Sequence, residues 1–337
     1  MTFNNVAVLG LAHVDAPEVI TSRQIETELS QTVERLGLPM GLLEHVAGIK
    51  ERRWWAPNVM PSDAATMAAE KVFEQVNIGR DKVGVLVNTS VCRDYIEPST
   101  ASIVHHKLGM SSACKNFDLG NACLAFLNAM DLVGGMIERG EIEYGLVVDG
   151  ESSREVQSAT IERLKRDDVT VDQFRSEFAT LTLGSGGVAM LLGKRTPETE
   201  HRYLGGVMVA ATEWSGLCRG QKEFMQTDTK TLLKEGVVLA KKTYSIAQDT
   251  LGWSDDALDE LILHQVSAVH TAKLCETLGL NAKKALLTFP EFGNIGPASL
   301  PITLSKTVEL GRVNPGARIG LLGIGSGLNC AMAELVW

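Results

Sequence analysis

The sequence predicts an α/β fold, as one large unit or two fused halves, with a sheet covered by helices on both faces. Three observations predict it. The chain has 337 residues, too long for one simple core and short for three domains. Short apolar runs alternate with amphipathic stretches along its whole length, the βαβ pattern. A short run that ends in small and polar residues and then enters a helix occurs twice, as Gly120-Asn121-Ala122-Cys123-Leu124 and Gly293-Asn294-Ile295-Gly296-Pro297. A duplicated half-domain would bring those two turns together at the centre.

In the first half, residues 6–11, 83–89, 116–119 and 144–149 are short apolar runs and read as strands. Helical spacing covers 22–36, 62–77, 100–108 and 123–139, with Thr21 or Ser22 suited to cap the first helix and Ser62 with Asp63 the second. The second half repeats the theme, with strands at 187–192, 207–212, 260–264, 318–323 and 331–337 and helices at 227–251, 267–278 and 298–310. Between the halves, residues 152–181 are polar, charge-rich and helix-prone. They read as two helices inserted over the site. The glycines at 184, 186 and 187 precede no helix placed to bind phosphate, so close strand packing is the better reading.

Hydrophobic residues make up 45% and charged residues 22% of a chain with net charge −9. No basic stripe is visible, which argues against nucleic acid as a partner. No apolar run reaches the roughly 18 residues that would span a bilayer. The N-terminus lacks a basic segment ahead of its apolar run and reads as a first strand, which predicts a cytoplasmic protein. Six cysteines, 92, 114, 123, 218, 275 and 330, show no C-x-x-C spacing, so neither a zinc site nor a disulfide framework is expected.

Cys123 stands apart from the other five because it opens a predicted helix, where unpaired N–H groups favour a thiolate. Its own N–H can also face a bound carbonyl oxygen. The alternative is a small buried core thiol. His264 ends an apolar strand, where α/β sheets collect functional groups, and Asn294 lies in a Gly-rich turn. Each alone reads as local hydrogen bonding or turn chemistry. Cys, His and Asn at three strand–helix junctions form a set able to activate a thiol and to hold an enolate oxygen.

At these residues the chain resembles, end to end, the thiolase superfamily, and within it the β-ketoacyl synthase III-like condensing enzymes. The motifs are GIKERRWW, EPSTA, NACLAF, LGSGGVAMLL, LHQVS, FGNIGPAS and the terminal GIGSGLNCAMAELVW. LAHVDAP, TSVCRDYIEPSTASIV and LGIGSGLNC resemble the OleA-type branch, which joins two long-chain acyl-CoA molecules head to head. The resemblance implies a thiolase-like αβαβα five-layer fold from two duplicated half-domains. They divide at 1–181 and 182–337, with the helical insertion of about 152–181 in the first. It implies a Cys123–His264–Asn294 catalytic set, with the N–H groups of Cys123 and Ser326 as an oxyanion hole. Further implications are coenzyme A thioesters as substrates with no permanently bound cofactor, a homodimer, and partner enzymes of long-chain olefin or ketone formation downstream.

Glu97 decides between two condensations. A malonyl donor loses carbon dioxide and needs no strong base, whereas an ordinary acyl-CoA must lose an α-proton to a positioned carboxylate. Between Ile96 and Pro98, Glu97 has apolar neighbours that would raise its basicity; on residues alone it reads equally as a loop charge or a helix-start acid. The resemblance makes it the α-carbon base, supplied by the partner subunit. The expected reaction is therefore a non-decarboxylative Claisen condensation giving a 2-alkyl-3-oxoacyl product, hydrolysed to a β-keto acid. The alternative is decarboxylative condensation of acyl-CoA with malonyl-ACP. Arg52, Arg53 and Trp54 are candidates for the coenzyme A phosphates and adenine; a solvated basic turn is the competing reading.

Overall fold

The computed structural model describes residues 2–337. Its strands are β1 (Val6–Asp15), β2 (Glu18–Thr21), β3 (Glu51–Trp54), β4 (Val83–Asn88), β5 (Lys115–Asp118), β6 (Tyr144–Glu151) and β7 (Gly186–Lys194), followed by β8 (Arg202–Ala210), β9 (Cys218–Gln221), β10 (Phe224–Thr227), β11 (Glu260–Leu263), β12 (Arg318–Gly325) and β13 (Asn329–Val336). Nine of them run in the order β11-β12-β13-β8-β1-β7-β6-β4-β5. The order contains a repeat. β4, β6, β7 and β1 have the same relative directions as β11, β12, β13 and β8: two parallel neighbours, an antiparallel third, and a fourth antiparallel to the third. The halves meet at two antiparallel bridges, Ala7 with Arg202 and Thr2 with Gly205.

Burial divides the molecule into layers. One apolar cluster lies between β4, β6 and β7 and the helices Pro61–Gln75 and Thr100–Lys107. A second lies between β11–β13 and the helices Thr229–Leu251 and Ala268–Leu278. The largest joins both halves around the helices Ala125–Glu138 and Ser299–Glu309, which are buried nearly all round. A helix without a solvent face needs cover on both sides, and here each is covered by a sheet. The result is the five-layer αβαβα arrangement. β7, which follows residue 181 in the chain, lies between β6 and β1 in the sheet.

The expected second-half helices and all nine expected strands are present, with ends shifted by a few residues. The helix at 22–36 is two helices, Ser22–Glu28 and Ser30–Arg35, broken at Leu29. Thr21 caps the first, accepting from the Gln24 N–H at 3.1 Å. The insertion supplies the helices Arg154–Leu164 and Val171–Glu177, which share a small core with Ile25, Leu29, Val33 and Leu43. Two antiparallel strand pairs escaped the sequence, β2 with β3 and the hairpin β9–β10. Each strand has only four residues, too few for an alternation to show. No helix of the described residues is long and apolar enough to cross a membrane.

Close packing accounts for the glycines before β7. The Gly184 N–H donates to the Asn294 carbonyl at 2.8 Å, and a methyl group on Gly184 would overlap the Phe292 carbonyl oxygen. Gly184→Ala should therefore displace the Asn294 turn and cost about 2 kcal/mol or more, read as a lower urea midpoint with an unchanged slope.

Candidate active site

The candidate residues lie just beyond strand ends or in the turns that lead to the two inner helices: Cys123 after β5, His264 after β11, Ser326 after β12, and Asn294 ahead of the helix Ser299–Glu309. Cys123 follows β5 but does not begin the helix. That helix starts at Ala125, and Cys123 sits in the preceding turn. Ala122 has φ +46°, a left-handed conformation that a non-glycine residue adopts at a cost. Side chains hold the turn: Asn121 donates to Asn128 Oδ1 at 2.6 Å and accepts from Asn329 Nδ2 at 3.3 Å. At the β12–β13 connection, Gly325 approaches so closely that a Cβ there would lie 3.3 Å from the nitrogens of both Cys123 and Leu124. Ser326 follows in the same turn. The Cys123 N–H and the Ser326 backbone thus belong to one wall.

His264 comes directly after β11, with its N–H on the Leu322 carbonyl of β12 at 2.8 Å. It is buried, and its Nδ1 has no hydrogen-bond partner. Gln265 accepts from the Thr288 N–H at 2.8 Å and donates to the Leu286 carbonyl at 2.6 Å, so it ties this strand end to the segment leading to Asn294. Asn294 is fixed through its backbone by Thr182 and Gly184. Its Oδ1 accepts from the Gly296 N–H at 3.0 Å, which turns the NH₂ of the amide away from that contact as a donor.

The electrostatics correct one expectation. A helix start predicted a depressed thiol pKa, but the enclosed Cys123 thiol is pushed up to about 12. Burial is the main cause, with the charges of Cys218 and Glu151 next; its own N–H opposes them weakly. His264 is lowered to about 3 by burial and then by His270, itself lowered to about 4 by burial. At neutral pH the resting site therefore holds a thiol and a neutral imidazole, not an ion pair.

One residue near the thiol was missed. Glu151 ends β6, is 4% exposed, and accepts the N–H groups of Val91 at 2.5 Å and Cys92 at 3.2 Å. Burial raises it to about 7 and raises Asp149, two residues before, further still. The signal was present. Two acids two apart on one face of a strand covered on both sides are out of place, but the expected strand stopped at 149.

Glu97 does not join this group within the chain. It is exposed in the loop before the helix Thr100–Lys107, and Ile96, which was expected to shelter it, is 97% exposed. The coenzyme A assignment of Arg52 is incorrect. Arg52 is wholly buried and donates to the Ile20 and Leu181 carbonyls and Ser22 Oγ at 3.0–3.2 Å. It is a strut between the β2–β3 pair and the end of the insertion, and its pKa falls to about 10 through that burial. Arg53 pairs with Glu51 at 2.7 Å and lies over Phe292. Trp54 donates to Gln157 at 2.5 Å and carries Arg154 against one ring face.

Residues 249–337 match the family model of the 3-oxoacyl-[acyl-carrier-protein (ACP)] synthase III C terminal. An acyl-CoA:acyl-CoA alkyltransferase of Xanthomonas campestris pv. campestris is 53% identical over the full length of both chains, and one of Shewanella oneidensis 36% identical over the same span. Among solved structures, the cerulenin-bound OleA of Xanthomonas campestris has a TM-score of 0.98 at 53% identity, covering 100% of this chain and 98% of that one. A cysteine-to-serine variant of that enzyme with bound lauric acid and lauroyl-CoA has a TM-score of 0.97 at 53% identity, covering 99% and 100%. With full-length identity of this order on a shared five-layer fold, the chain belongs to the acyl-CoA:acyl-CoA alkyltransferases, acyltransferases of the thiolase superfamily.

Proposed function

We propose that the enzyme condenses two long-chain acyl-CoA molecules through an acyl thioester on Cys123. The observation that carries this is the Cys123 turn: a half-buried thiol on strained backbone, walled by Gly325 at the end of β12, the strand to whose Leu322 the buried His264 is hydrogen-bonded. Lauroyl-CoA bound to the 53% identical Xanthomonas enzyme supports an acyl-CoA substrate.

In the first half-reaction Cys123 Sγ attacks the acyl carbonyl while its proton passes to His264, and coenzyme A leaves as the thiol on taking that proton. A thiol near 12 and an imidazole near 3 make separate ionisation unfavourable, so proton transfer accompanies attack. The N–H groups of Cys123 and Ser326 receive the oxyanion. In the second, Glu97 removes the α-proton of a second acyl-CoA, and His264 and Asn294 hold the enolate oxygen. The α-carbon attacks the Cys123 thioester, the C–S bond breaks, the released sulfur takes up a proton while Glu97 gives up the one it removed, and a 2-alkyl-3-oxoacyl-CoA forms. Water then cleaves it to the β-keto acid, the precursor of long-chain olefins or ketones made by downstream enzymes. Coenzyme A thioesters are intracellular metabolites, which supports a cytoplasmic location in this reading.

A homodimer completes the site in this reading. Beside Glu97, the side chains of Val91, Tyr95 and Ile96 are 56%, 57% and 97% exposed. Such an apolar tip is suited to insertion into a partner. The competing reading, decarboxylative condensation with malonyl-ACP, is favoured only by the family match of residues 249–337.

Mass spectrometry after incubation with myristoyl-CoA alone should show a myristoyl group on Cys123 and a ketone built from two chains; strict dependence on malonyl-ACP would support the competing reading instead. Glu97→Ala should keep Cys123 acylation and lower condensation at least about 100-fold. If Glu97 acts across the dimer, co-expressing Glu97→Ala and Cys123→Ala chains restores about a quarter of wild-type activity, since half of random dimers are mixed and each has one intact site. No restoration would place Glu97 in its own chain's site. Alkylation of resting Cys123 by iodoacetamide should rise about tenfold per pH unit between about pH 7 and 10; a plateau at neutral pH would show a preformed ion pair.

A further inference from the structure

The acid pair at the end of β6 has no part in the cycle above, yet Glu151 touches both sides of it. We propose that Glu151 is a positioning residue whose ionised carboxylate holds the root of the Glu97 loop against the Asn294 turn, so that condensation, but not Cys123 acylation, depends on its charge. This rests on the functional reading just given.

Both carboxylate oxygens are used by the loop, Oε1 by the Val91 N–H at 2.5 Å and Oε2 by the Cys92 N–H at 3.2 Å. A carboxylate alone among side chains offers two acceptors in that fork. The same root is stitched to β6 by three more contacts. Thr89 donates to Asp149 at 2.5 Å, Ser90 accepts the Gly150 N–H at 2.9 Å, and the Cys92 thiol donates to the Ser152 carbonyl at 3.1 Å. Two residues on, Asp94 accepts the Ser62 N–H at 2.9 Å; beyond it Tyr95, Ile96, Glu97 and Pro98 are exposed. On the other side, the Glu151 Cδ lies 3.6 Å from where Gly296 would carry a Cβ, and the Gly296 N–H is what orients Asn294.

The titratable groups facing Glu151 are Asp149 on its own strand, the Cys92 thiol of the loop, and Cys123 from its turn. Asp149 is pushed well above the ordinary carboxylate range by burial and then by Glu151, and its Oδ1 has no hydrogen bond; the two N–H donors on Glu151 favour the pair's charge there, and Glu151 is raised to about 7. Above that value the carboxylate accepts both N–H groups. Below it, one oxygen carries a hydrogen that opposes an N–H, and the root loosens.

Glu151→Gln, nearly isosteric, presents an NH₂ to one of the two N–H donors. With myristoyl-CoA, its single-turnover acylation of Cys123 should stay within about twofold of wild type while condensation falls about tenfold or more. The wild-type condensation rate should show an acid limb near pH 7 that Glu151→Gln lacks, and Glu151→Asp should restore part of both. Unchanged condensation with the limb retained, or equal loss of acylation and condensation, overturns the proposal. Hydrogen exchange at Val91 and Cys92 does not depend on activity. Corrected for intrinsic rate, it should quicken in wild-type protein below about pH 7; constant protection overturns the anchor even where Glu151→Gln fails to fold. A wild-type enzyme that forms no product from acyl-CoA alone, yet shows this exchange change, would sink the functional reading and leave the anchor standing.

Discussion

Everything in the molecule depends on two helices that have no solvent face. Ala125–Glu138 and Ser299–Glu309 are buried along almost their whole length, and burying both flanks of a helix pair requires a sheet on each side. Each sheet then has an outer face, which takes the outer helices. The duplication makes this economical, because one βα pattern supplies both a sheet and the inner helix that the opposite sheet covers. The two inner helices follow the two turns that carry Cys123 and Asn294. The constraint that builds the core therefore also fixes the turns of Cys123 and Asn294 at the starts of its inner helices.

That placement sets the electrostatics. Burial acts against charge on every ionisable group of the site, raising the thiol and the carboxylic acids and lowering the imidazoles. The resting site is close to neutral, which suits two uncharged acyl chains and denies water a reason to enter. It also changes the meaning of the Cys–His pair. In the proposed cycle the imidazole is then not the counterion of a standing thiolate but a proton acceptor during the attack of the sulfur. A helix start offers Cys123 a modest N–H contribution, and the desolvation of the thiol outweighs it.

The nine principal strands and the strand–turn junctions at Cys123, His264 and Asn294 were legible because they rest on local pattern: apolar period, small residues at turns, and strand ends; the five layers were implied by the family resemblance. Arg52 was misread because a buried arginine and a phosphate-binding one look alike in sequence; only the carbonyls of Ile20 and Leu181, distant in the chain, show which it is. Glu151 was passed over for a related reason. Its partners are backbone N–H groups 60 and 59 residues earlier, and backbone donors carry no sequence signature. The shelter expected for Glu97 from Ile96 failed in the single chain because adjacency in sequence is not burial.

These three cases divide the labour of the site. In the proposed cycle, carrying an acyl group would need only what one chain holds firmly: the Cys123 turn, the Gly325 wall and His264. Making a carbanion would need a base delivered to an α-carbon without a permanent charge beside a thioester, and in that proposal the Glu97 carboxylate on its exposed loop meets the requirement better than one fixed in the core. Such a loop is useful only if its root is rigid. The bonds from β6 to residues 89–92 supply that rigidity, and among them only Glu151 bears a charge that changes near neutral pH. Holding an ionised carboxylate there opposes stability. A carboxyl raised by burial stabilises the fold most when protonated, and that contribution is lost as pH rises through about 7. A buried acid kept at such a cost, beneath the loop that brings the base, is better explained by the work of the loop than by the fold.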